Sequence, residues 1–379
     1  MKNLIIIPTY WTLPEENTFE RFDHPVPIQE SGTLERLLQS LRVCKVRDEI
    51  HVIIAPLHSK VEKKVRSITN KFPDLDIHVF TRVDMKKILQ LVKTKKFSKQ
   101  FLSEINVNDY GSLRNISLII GLMKKVDNII LIDDDEIIED KKYMAKAVER
   151  MGQKIGKKRL VGKSGYYLDK NNNYRPLKKA PKWKKHWLKQ KHLNKIYNRI
   201  KSKKRFHKTS FALGGNMVIN KELFSTVPFD PYITRGEHVD YLLNTKHFKF
   251  LVLFDNQLVV KHLPPPLPTP YWLKLRRDIY RFIYEKEKLK YFNFNLQDLD
   301  SYPKFFLGKY LEQRAIITSI EYAKYCLKKG DKEGHRESLN TAKLVENEAK
   351  LYAKKHVPKY FRFQEEWKKL SLLLDKIIK

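Results

Sequence analysis

Four acidic residues, Asp133, Asp134, Asp135 and Glu136, close the predominantly apolar run at 126–132. Such a run is typical of a buried strand. Ionised carboxylates crowded at its end repel one another and resist desolvation unless a cation neutralises them. In an open α/β sheet, ligands bind beyond the carboxyl ends of the strands, which is where this acidic group falls. The feature predicts a divalent metal, Mg²⁺ or Mn²⁺, at a strand end, and an acidic loop without a ligand is the alternative.

The first third of the chain alternates between apolar strands and amphipathic helices. Strands are predicted at 4–8, 50–55, 77–81 and 126–131, and helices at 31–43, 60–71, 85–96 and 112–125. The long polar segment at 9–30 is predicted to be a loop. Continuous apolar strands that are linked by helices predict an α/β fold, with a mostly parallel sheet and helices on both of its faces.

The pattern changes after residue 150. Strands are predicted at 159–167, 212–219, 247–254 and 257–261, and helices at 271–290, 305–329, 331–355 and 361–379. The proline-rich turn at 263–268 ends the α/β region, because proline cannot continue a strand ladder. We therefore expect an α/β domain at 1–268 and a helical region at 269–379 whose helices pack as a small bundle.

The chain carries 76 Lys and Arg against 43 Asp and Glu, a formal net charge of +33. This charge attracts anions such as nucleic acid, lipid headgroups or phosphorylated small molecules. Fourteen Lys or Arg and no acid occur among the 31 residues from Lys178 to Lys208, with Trp183 and Trp187 between them. Cations without acidic partners resist burial. We therefore predict a basic insertion at about 175–208 that lies outside the core, as a solvated helix or as an anion-docking lid.

The two cysteines, Cys44 and Cys326, lie far apart in the sequence, which fits a reducing cytoplasm. The sequence holds no apolar stretch near the roughly 20 residues of a membrane span, and its opening apolar run is too short for a signal peptide. We expect a cytoplasmic protein. Its charge also permits peripheral contact with the anionic inner face of a membrane, and an oligomer stays an open alternative.

Three further segments complement the acidic strand end. Residues 8–10 end the opening strand, where a base or ribose can lie against the strand terminus. Residues 111–115 begin a helix, and backbone N–H groups there suit a diphosphate together with the guanidinium of Arg114. His262 ends a strand, where a neutral imidazole can complete a metal site. Taken singly, Arg114 also fits a surface arginine and His262 a structural histidine.

These segments and two later ones resemble the GT-A class of nucleotide-sugar-dependent glycosyltransferases, in particular its family 2 and mannosylglycerate-synthase-like members. The matching motifs are, in chain order, Pro8-Thr9-Tyr10 as the nucleotide-binding entry, Gly111 to Asn115 as the Gly-x-x-Arg-Asn helix start, Asp133-Asp134-Asp135 as the Asp-x-Asp metal motif, Ala212-Leu213-Gly214-Gly215-Asn216 as the glycine-rich strand start, and Arg235 to Asp240 as the Gly-Glu-Asp segment. The resemblance covers residues 1–265 in the right order. It implies a GT-A fold, and the C-terminal helices form an extension to it.

The resemblance implies a metal-dependent hexosyltransferase that moves a sugar from a nucleotide-diphosphate sugar to an acceptor hydroxyl. The donor-binding residues that it implies are Pro8, Thr9, Tyr10, Arg114, Asn115, Asp133, Asp134, Gly214 and Gly215, and the metal ligands are Asp133, Asp135 and His262. The two glycines would let the backbone approach the sugar closely, and a strand bulge is the other explanation for them. The dense positive charge favours an anionic acceptor, either a small molecule or a lipid-linked phosphate.

One motif departs from the family pattern. Where inverting members show Glu-Asp, this chain has Glu237-His238, and Asp240 follows two residues later. An inverting reaction needs a general base near the acceptor hydroxyl, and Glu237, His238 or Asp240 could supply it. A retaining enzyme would not need that base, and these groups would instead position the sugar and the acceptor. This departure slightly favours a reaction that retains the configuration of the transferred sugar.

Two other function classes compete with glycosyl transfer. A nucleic-acid-binding protein would use the basic segment at 178–208, with salt-sensitive binding that is independent of metal. The sequence has no zinc-finger spacing and no RNP-type motif, so nucleic acid is not favoured as a partner. A nucleotidyltransferase typically carries a glycine-rich, basic loop after the first strand, whereas residues 9–17 contain neither glycine nor a basic residue.

Overall fold

The computed structural model describes residues 1–14, 22–93, 96–175, 180–265, 269–292 and 294–377. Parts of five expectations lie outside the described residues. They are residues 15–21 of the predicted loop, 94–95 of the helix predicted at 85–96, 176–179 of the basic insertion, 266–268 of the proline-rich turn and 378–379 of the helix predicted at 361–379.

Within the described residues, eleven strands join one sheet in the order β4-β3-β1-β5-β10-β8-β11-β6, with β2 beside β1, β7 beside β8 and β9 beside β11. The strands are β1 (Asn3–Thr12), β2 (Val26–Pro27), β3 (Glu49–Ala55), β4 (Ile77–Phe80), β5 (Asn128–Leu131), β6 (Glu136–Ile137), β7 (Lys154–Ile155), β8 (Lys158–Leu168), β9 (Phe206–Lys208), β10 (Met217–Asn220) and β11 (Leu251–His262). Strands β4, β3, β1 and β5 run parallel, as do β8 and β11. Strand β10 joins the two parallel groups and is antiparallel to both neighbours.

Fourteen α-helices occur in the described parts of the chain. They are α1 (Leu34–Val43), α2 (Ser59–Thr69), α3 (Arg82–Lys93), α4 (Lys99–Ser103), α5 (Tyr110–Met123), α6 (Tyr143–Val148), α7 (Lys189–Tyr197), α8 (Lys221–Phe224), α9 (Glu237–His247), α10 (Tyr271–Lys288), α11 (Ser301–Leu307), α12 (Leu311–Lys328), α13 (Lys332–Leu344) and α14 (Glu348–Ile377). None of the helices among the described residues has both the length and the apolarity to cross a membrane.

Helices cover both faces of the sheet. Side chains alternate along a strand, and in β1 Leu4 and Ile6 belong to one hydrophobic core whereas Ile5 and Ile7 belong to another. Helix α5 packs in the first core, and helices α1 and α2 pack in the second. The predicted α/β fold with a mostly parallel sheet and C-terminal helices is confirmed.

Several element boundaries differ from the predictions. The strands predicted at 247–254 and 257–261 form the single strand β11, which has an irregular register between Phe254 and Val259. The helices predicted at 331–355 and 361–379 also differ from the observed ones. No break separates them at Pro358, because α14 runs continuously through that residue. Its buried face recurs at helical spacing on both sides of that proline, from Ala353 to Leu374, so the packing on the core favours one long helix.

The C-terminal helices share a core with the α/β region. The Tyr360 hydroxyl of α14 donates to the carbonyl oxygen of Pro228 at 3.0 Å, and the Trp367 indole nitrogen donates to that of Phe224 at 3.0 Å. Both side chains are buried in the same hydrophobic cluster as Leu113 of α5. Helices α10 and α14 therefore support the face of the sheet on which α5 lies.

The expectation that the basic segment lies outside the core is wrong for its tryptophans and for several of its cations, whereas most of its described lysines are exposed. Trp187 is 2% exposed and packs edge-on against Phe306, with 4.7 Å between ring centroids. Lys189 pairs with Asp278 of α10 at 2.7 Å. Arg199 and Arg205 likewise pair with Asp300 and Asp255. The acidic partners are remote in the sequence, so a local count of charges did not include them.

Candidate active site

A cavity of about 250 Å³ lies at the carboxyl end of β1 and β5. These two strands are parallel neighbours, with Leu4 opposite Ile129 and Ile6 opposite Leu131, so the residues that follow them meet at one edge of the sheet. Nine of the residues predicted from the sequence line this cavity: Tyr10, Arg114, Asp133, Asp134, Asp135, Gly214, Glu237, His238 and His262. Five others, Pro8, Thr9, Asn115, Gly215 and Asp240, belong to the surrounding structure.

The ion pair between Asp135 and His262 forms one wall. His262 ends β11 beside Glu136 of β6, which brings its Nε2 atom to 3.2 Å from Asp135 Oδ2. Burial alone would lower the pKa of His262, but the hydrogen bond and charge of Asp135 outweigh it and raise that pKa. Burial likewise opposes ionisation of Asp135, yet His262 lowers the pKa of its carboxyl. The pair therefore favours a carboxylate facing an imidazolium.

Asp135 and His262 also fit a divalent cation. They present a carboxylate oxygen and an imidazole nitrogen side by side to an open cavity, where water or phosphate oxygens can complete the coordination. Among the residues that the structure describes, no three His, Cys, Asp or Glu side chains form a ready-made metal cluster. The predicted third ligand, Asp133, instead accepts a hydrogen bond from Arg114.

Asp134 is held by β1. The Thr9 hydroxyl donates to Asp134 Oδ2 at 2.6 Å, and the Trp11 indole nitrogen donates to Thr9 at 2.9 Å. Burial and the neighbouring Asp135 raise the pKa of Asp134 well above its ordinary value. Thr9 is fully buried, so it supports the acidic turn from behind. Pro8 pairs with Ile53 inside the sheet and also belongs to this support.

Arg114 lies on the first turns of α5 and is 1% exposed. Its Nη2 atom donates to Asp133 Oδ1 at 2.6 Å, and its Nε atom is 3.5 Å from Glu237 Oε1. The buried Nη1 atom has no hydrogen-bond partner within the described parts of the chain. Two carboxylates thus fix the guanidinium, and its Nη1 amino group is left without a protein acceptor.

Asn115 has a structural position. Its side-chain amide donates to the carbonyl oxygen of Phe229 at 3.0 Å and accepts from the Phe229 amide nitrogen at 2.8 Å. This pair of bonds ties α5 to the loop that precedes α9. Asn115 therefore positions the loop and lies behind the cavity wall.

Glu237 and His238 begin α9, directly after Gly236, whose φ is +67°. Burial opposes ionisation of Glu237, but the nearby His238 and Arg114 outweigh it and lower the pKa of the carboxyl to about 2. A Cβ atom on Gly214 would lie 3.0 Å from Arg114 Nη2 and 3.1 Å from His238 Nδ1. Glycine at 214 therefore lets the backbone lie against both side chains.

Gly215 is required for packing. A Cβ atom there would lie 2.2 Å from Glu136 Oε1, and the Gly215 amide nitrogen donates to the Tyr167 hydroxyl at 2.9 Å. Glu136 is fully buried, so it cannot move away without opening the core. Gly215 thus packs on the acidic turn, and its predicted contact with a sugar stays a prediction.

Asp240 lies in a buried ion cluster. Lys288 Nζ is 2.7 Å from Asp240 and 2.6 Å from Asp230, and all three side chains are fully buried. Position 240 is almost one helical turn after Glu237, where α9 packs against α10. The suggestion that Asp240 is a general base is therefore corrected by its position: it neutralises Lys288 outside the cavity.

The wall opposite the acidic turn includes Lys189 of the basic segment and Arg235 of the predicted motif at 235–240. It also includes Arg281 and Tyr302, which sequence reasoning missed. Arg281 of α10 is 2% exposed, and it donates to Glu285 at 2.8 Å and to the Tyr302 hydroxyl at 3.0 Å. A signal was present in the sequence. Charged residues recur at positions 278, 281, 285 and 288, which is the spacing of the buried face of a helix.

No protein-family model matches this sequence, and no curated protein matches it either. Solved structures of similar shape include a mannosyltransferase from Pyrobaculum calidifontis in complex with GDP-Man and Mn²⁺, at 13% identity and a TM-score of 0.47 over 99% of this chain and 87% of that chain. A mycobacterial protein is similar at 14% identity and a TM-score of 0.41 over 73% of this chain and 72% of that one. Likeness of this degree assigns no activity, so function is inferred from the site residues.

Proposed function

We propose that this chain is a metal-dependent glycosyltransferase of the GT-A class, which moves a sugar from a nucleoside-diphosphate sugar to an acceptor hydroxyl. The observation that carries the proposal is the meeting of Asp135, His262 and Arg114 in one cavity at the carboxyl end of parallel strands. A metal-ligand pair beside a fixed guanidinium suits a diphosphate, whose charge both groups can neutralise.

The donor would lie between the acidic turn and α5. Arg114 offers its unpartnered Nη1 group to a diphosphate oxygen, and Asp133 keeps the guanidinium in place from the other side. Asp135 and His262 would hold a divalent cation, which when bound would neutralise the charge of the diphosphate leaving group as a Lewis acid. Tyr10, which packs against Tyr110 with 5.4 Å between ring centroids, provides an aromatic wall for the nucleoside.

The proton chemistry favours retention of configuration. A carboxyl group with a pKa of about 2, such as that of Glu237, is a weak base near neutral pH. Asp240 is occupied by Lys288 outside the cavity. Glu237 then acts by holding His238 and Arg114 beside Gly214, where the donor sugar would lie. In an inverting reaction, His238 would have to act as the general base.

The experiment is a screen of nucleotide sugars for release of the nucleoside diphosphate, with Mn²⁺ or Mg²⁺ and with a chelator. Asp135→Asn should lower the rate by about 100-fold or more, because it removes a charge that neutralises the leaving group through the metal. The matched control is Glu139→Gln, since Glu139 is an exposed acid four residues later that does not line this cavity. Release that is equal with chelator, or equal in Asp135→Asn and wild type, would rule out the proposal.

A further inference from the structure

A second cavity, of about 450 Å³, adjoins the candidate active site. Lys189, Leu193 and Arg235 line both cavities, so the two cavities share a wall. The second cavity lies between the basic segment and the start of α10. Trp187 lines the cavity on the side of the basic segment, and Tyr271 lines it on the side of α10.

The lining is strongly cationic. Five basic side chains, Lys184, Lys189, Lys191, Arg235 and Lys274, face the single acid Asp278. That acid is already shared, because Lys189 lies 2.7 Å and Arg235 3.4 Å from its carboxylate oxygens. Arg235 pairs more closely with Asp23, at 2.9 Å, so the excess positive charge of the cavity lies on Lys184, Lys191 and Lys274.

Three of these lysines, Lys184, Lys191 and Lys274, have no acidic partner at ion-pair distance among the described residues, and Lys184 and Lys274 are the two that are partly buried. Lys184 lies over the Tyr271 ring, with its Nζ atom 4.5 Å from the centroid. Burial, and then the charge of Lys189, lower the pKa of Lys184. Burial also lowers the pKa of Lys274. Both shifts mean that the surroundings disfavour the charged forms of the two lysines. An anion bound in the cavity would favour the charged forms and raise both pKa values.

The indole ring of Trp187, which carries an uncharged donor, lines the same cavity. Trp187 is 2% exposed, and its indole N–H group has no hydrogen-bond partner in the described residues. A buried donor without an acceptor costs free energy unless a ligand completes it. A phosphate group, which has several acceptor oxygens, can bond to lysines and to an indole at the same time. A carboxylate has fewer oxygens with which to reach groups on both sides of the cavity.

We infer that this second cavity binds the phosphate group of a phosphorylated acceptor, whose hydroxyl reaches the active-site cavity past Lys189 and Arg235. The role of the bound molecule as an acceptor rests on the proposed glycosyl transfer, whereas the binding of its phosphate group does not. Lys184 and Lys274 supply the charge on the two sides, and Trp187 supplies the neutral hydrogen bond.

The test is calorimetric titration of the metal-free, nucleotide-free protein with inorganic phosphate. Replacing both lysines, in Lys184→Gln/Lys274→Gln, should weaken phosphate binding by about tenfold or more and make the remaining binding less dependent on salt. Each single variant should have part of this effect, and Lys184→Arg should retain most of the affinity. The matched control is Lys203→Gln, since Lys203 is an exposed lysine of the same segment that lines neither cavity.

Two further arms identify the source of the phosphate. The soluble probe is glycerol 3-phosphate, and the membrane probe is phosphatidylcholine vesicles with and without phosphatidic acid. Binding of either probe that weakens in the double lysine variant supports the subsite, and the probe that binds tells whether the acceptor is soluble or lipid-borne. Equal affinity of wild type and the double variant for all three probes, with thermal unfolding unchanged, would overturn the inference.

The outcome is separable from that of the proposed function. If wild type cleaves nucleotide sugars but phosphate binding ignores the two lysines, only the acceptor subsite is refuted. If phosphate binding depends on the lysines but no nucleotide sugar is cleaved, glycosyl transfer is refuted and the anion site stands.

Discussion

The Nε2 atom of His262 lies 3.2 Å from Oδ2 of Asp135, which joins the end of β11 to the turn after β5. The two residues are separated by 127 positions in the sequence, and the antiparallel pairing of β11 with β6 brings them together. The contact connects the parallel strand that carries the acidic turn with a strand that is far from it in the sheet order. Loss of either side chain should therefore affect the cavity more than the fold.

His262→Ala should lower donor cleavage much more at limiting than at saturating Mn²⁺, because removal of one ligand first lowers metal affinity. The measurement is the initial rate of nucleoside diphosphate release as a function of metal concentration. His186→Ala, on the basic segment and outside the cavity lining, is the matched control. A metal titration of His262→Ala that superimposes on wild type would leave His262 with a structural role only.

Arg114→Ala should lower stability and donor affinity together. The variant leaves Asp133 and Glu237 buried without their cation, and removal of one partner of such a group costs about 3–5 kcal/mol. Arg114→Lys should restore most of the stability but only part of the donor affinity, because an ammonium cannot reproduce the planar fork of donors. Urea unfolding and the KM for the nucleotide sugar measure the two effects. Full recovery of KM by lysine would argue against a diphosphate contact.

Replacement of Lys288 tests whether Asp240 is structural. Lys288→Met leaves Asp230 and Asp240 buried without their shared cation, so the free energy of unfolding should fall by about 3–5 kcal/mol. Asp240→Asn should cost less, since Asp230 still pairs with the lysine. Donor cleavage per folded molecule should stay at the wild-type level in Asp240→Asn. A folded Asp240→Asn protein that has lost transfer would restore the general-base role.

Glu237 should make stability depend on pH. Its pKa falls on folding from an ordinary 4.5 to about 2, so the folded state binds fewer protons than the unfolded state between these values. The resulting stabilisation, of about 3 kcal/mol at most, is present above pH 4.5 and is lost as the pH falls towards 2. Wild type and Glu237→Gln should thus differ most in unfolding free energy above pH 5 and converge at lower pH. A difference that is constant from pH 3 to 6.5 would contradict the assignment.

Much of the fold was predictable because its determinants are local. Apolar runs and helical spacing depend on neighbouring residues, so the four main strands and four main helices of the first 131 residues were predicted with small errors at their ends. The short strand β2 and helix α4 were not predicted, and β1 continues to Thr12 within the segment that was predicted to be a loop. Strand β11 and helix α14 were each divided in two, because a polar residue or a proline interrupts the pattern. Packing on both sides of Pro358 and of the irregularity after Phe254 overrides these local signals.

The sequence by itself determined which strand and helix ends meet, because the carboxyl ends of parallel strands lie at the same edge of a sheet. It therefore brought Tyr10, Arg114 and the acidic turn to one edge. Only the tertiary structure decided which charges neutralise one another. Asp240 meets Lys288, 48 positions away, and the basic segment finds Asp278 on α10. Ion-pair partners can be far apart in the sequence, and no local pattern indicates which residues will pair. The pairing of the charges on the cationic wall could therefore be seen only in the tertiary structure.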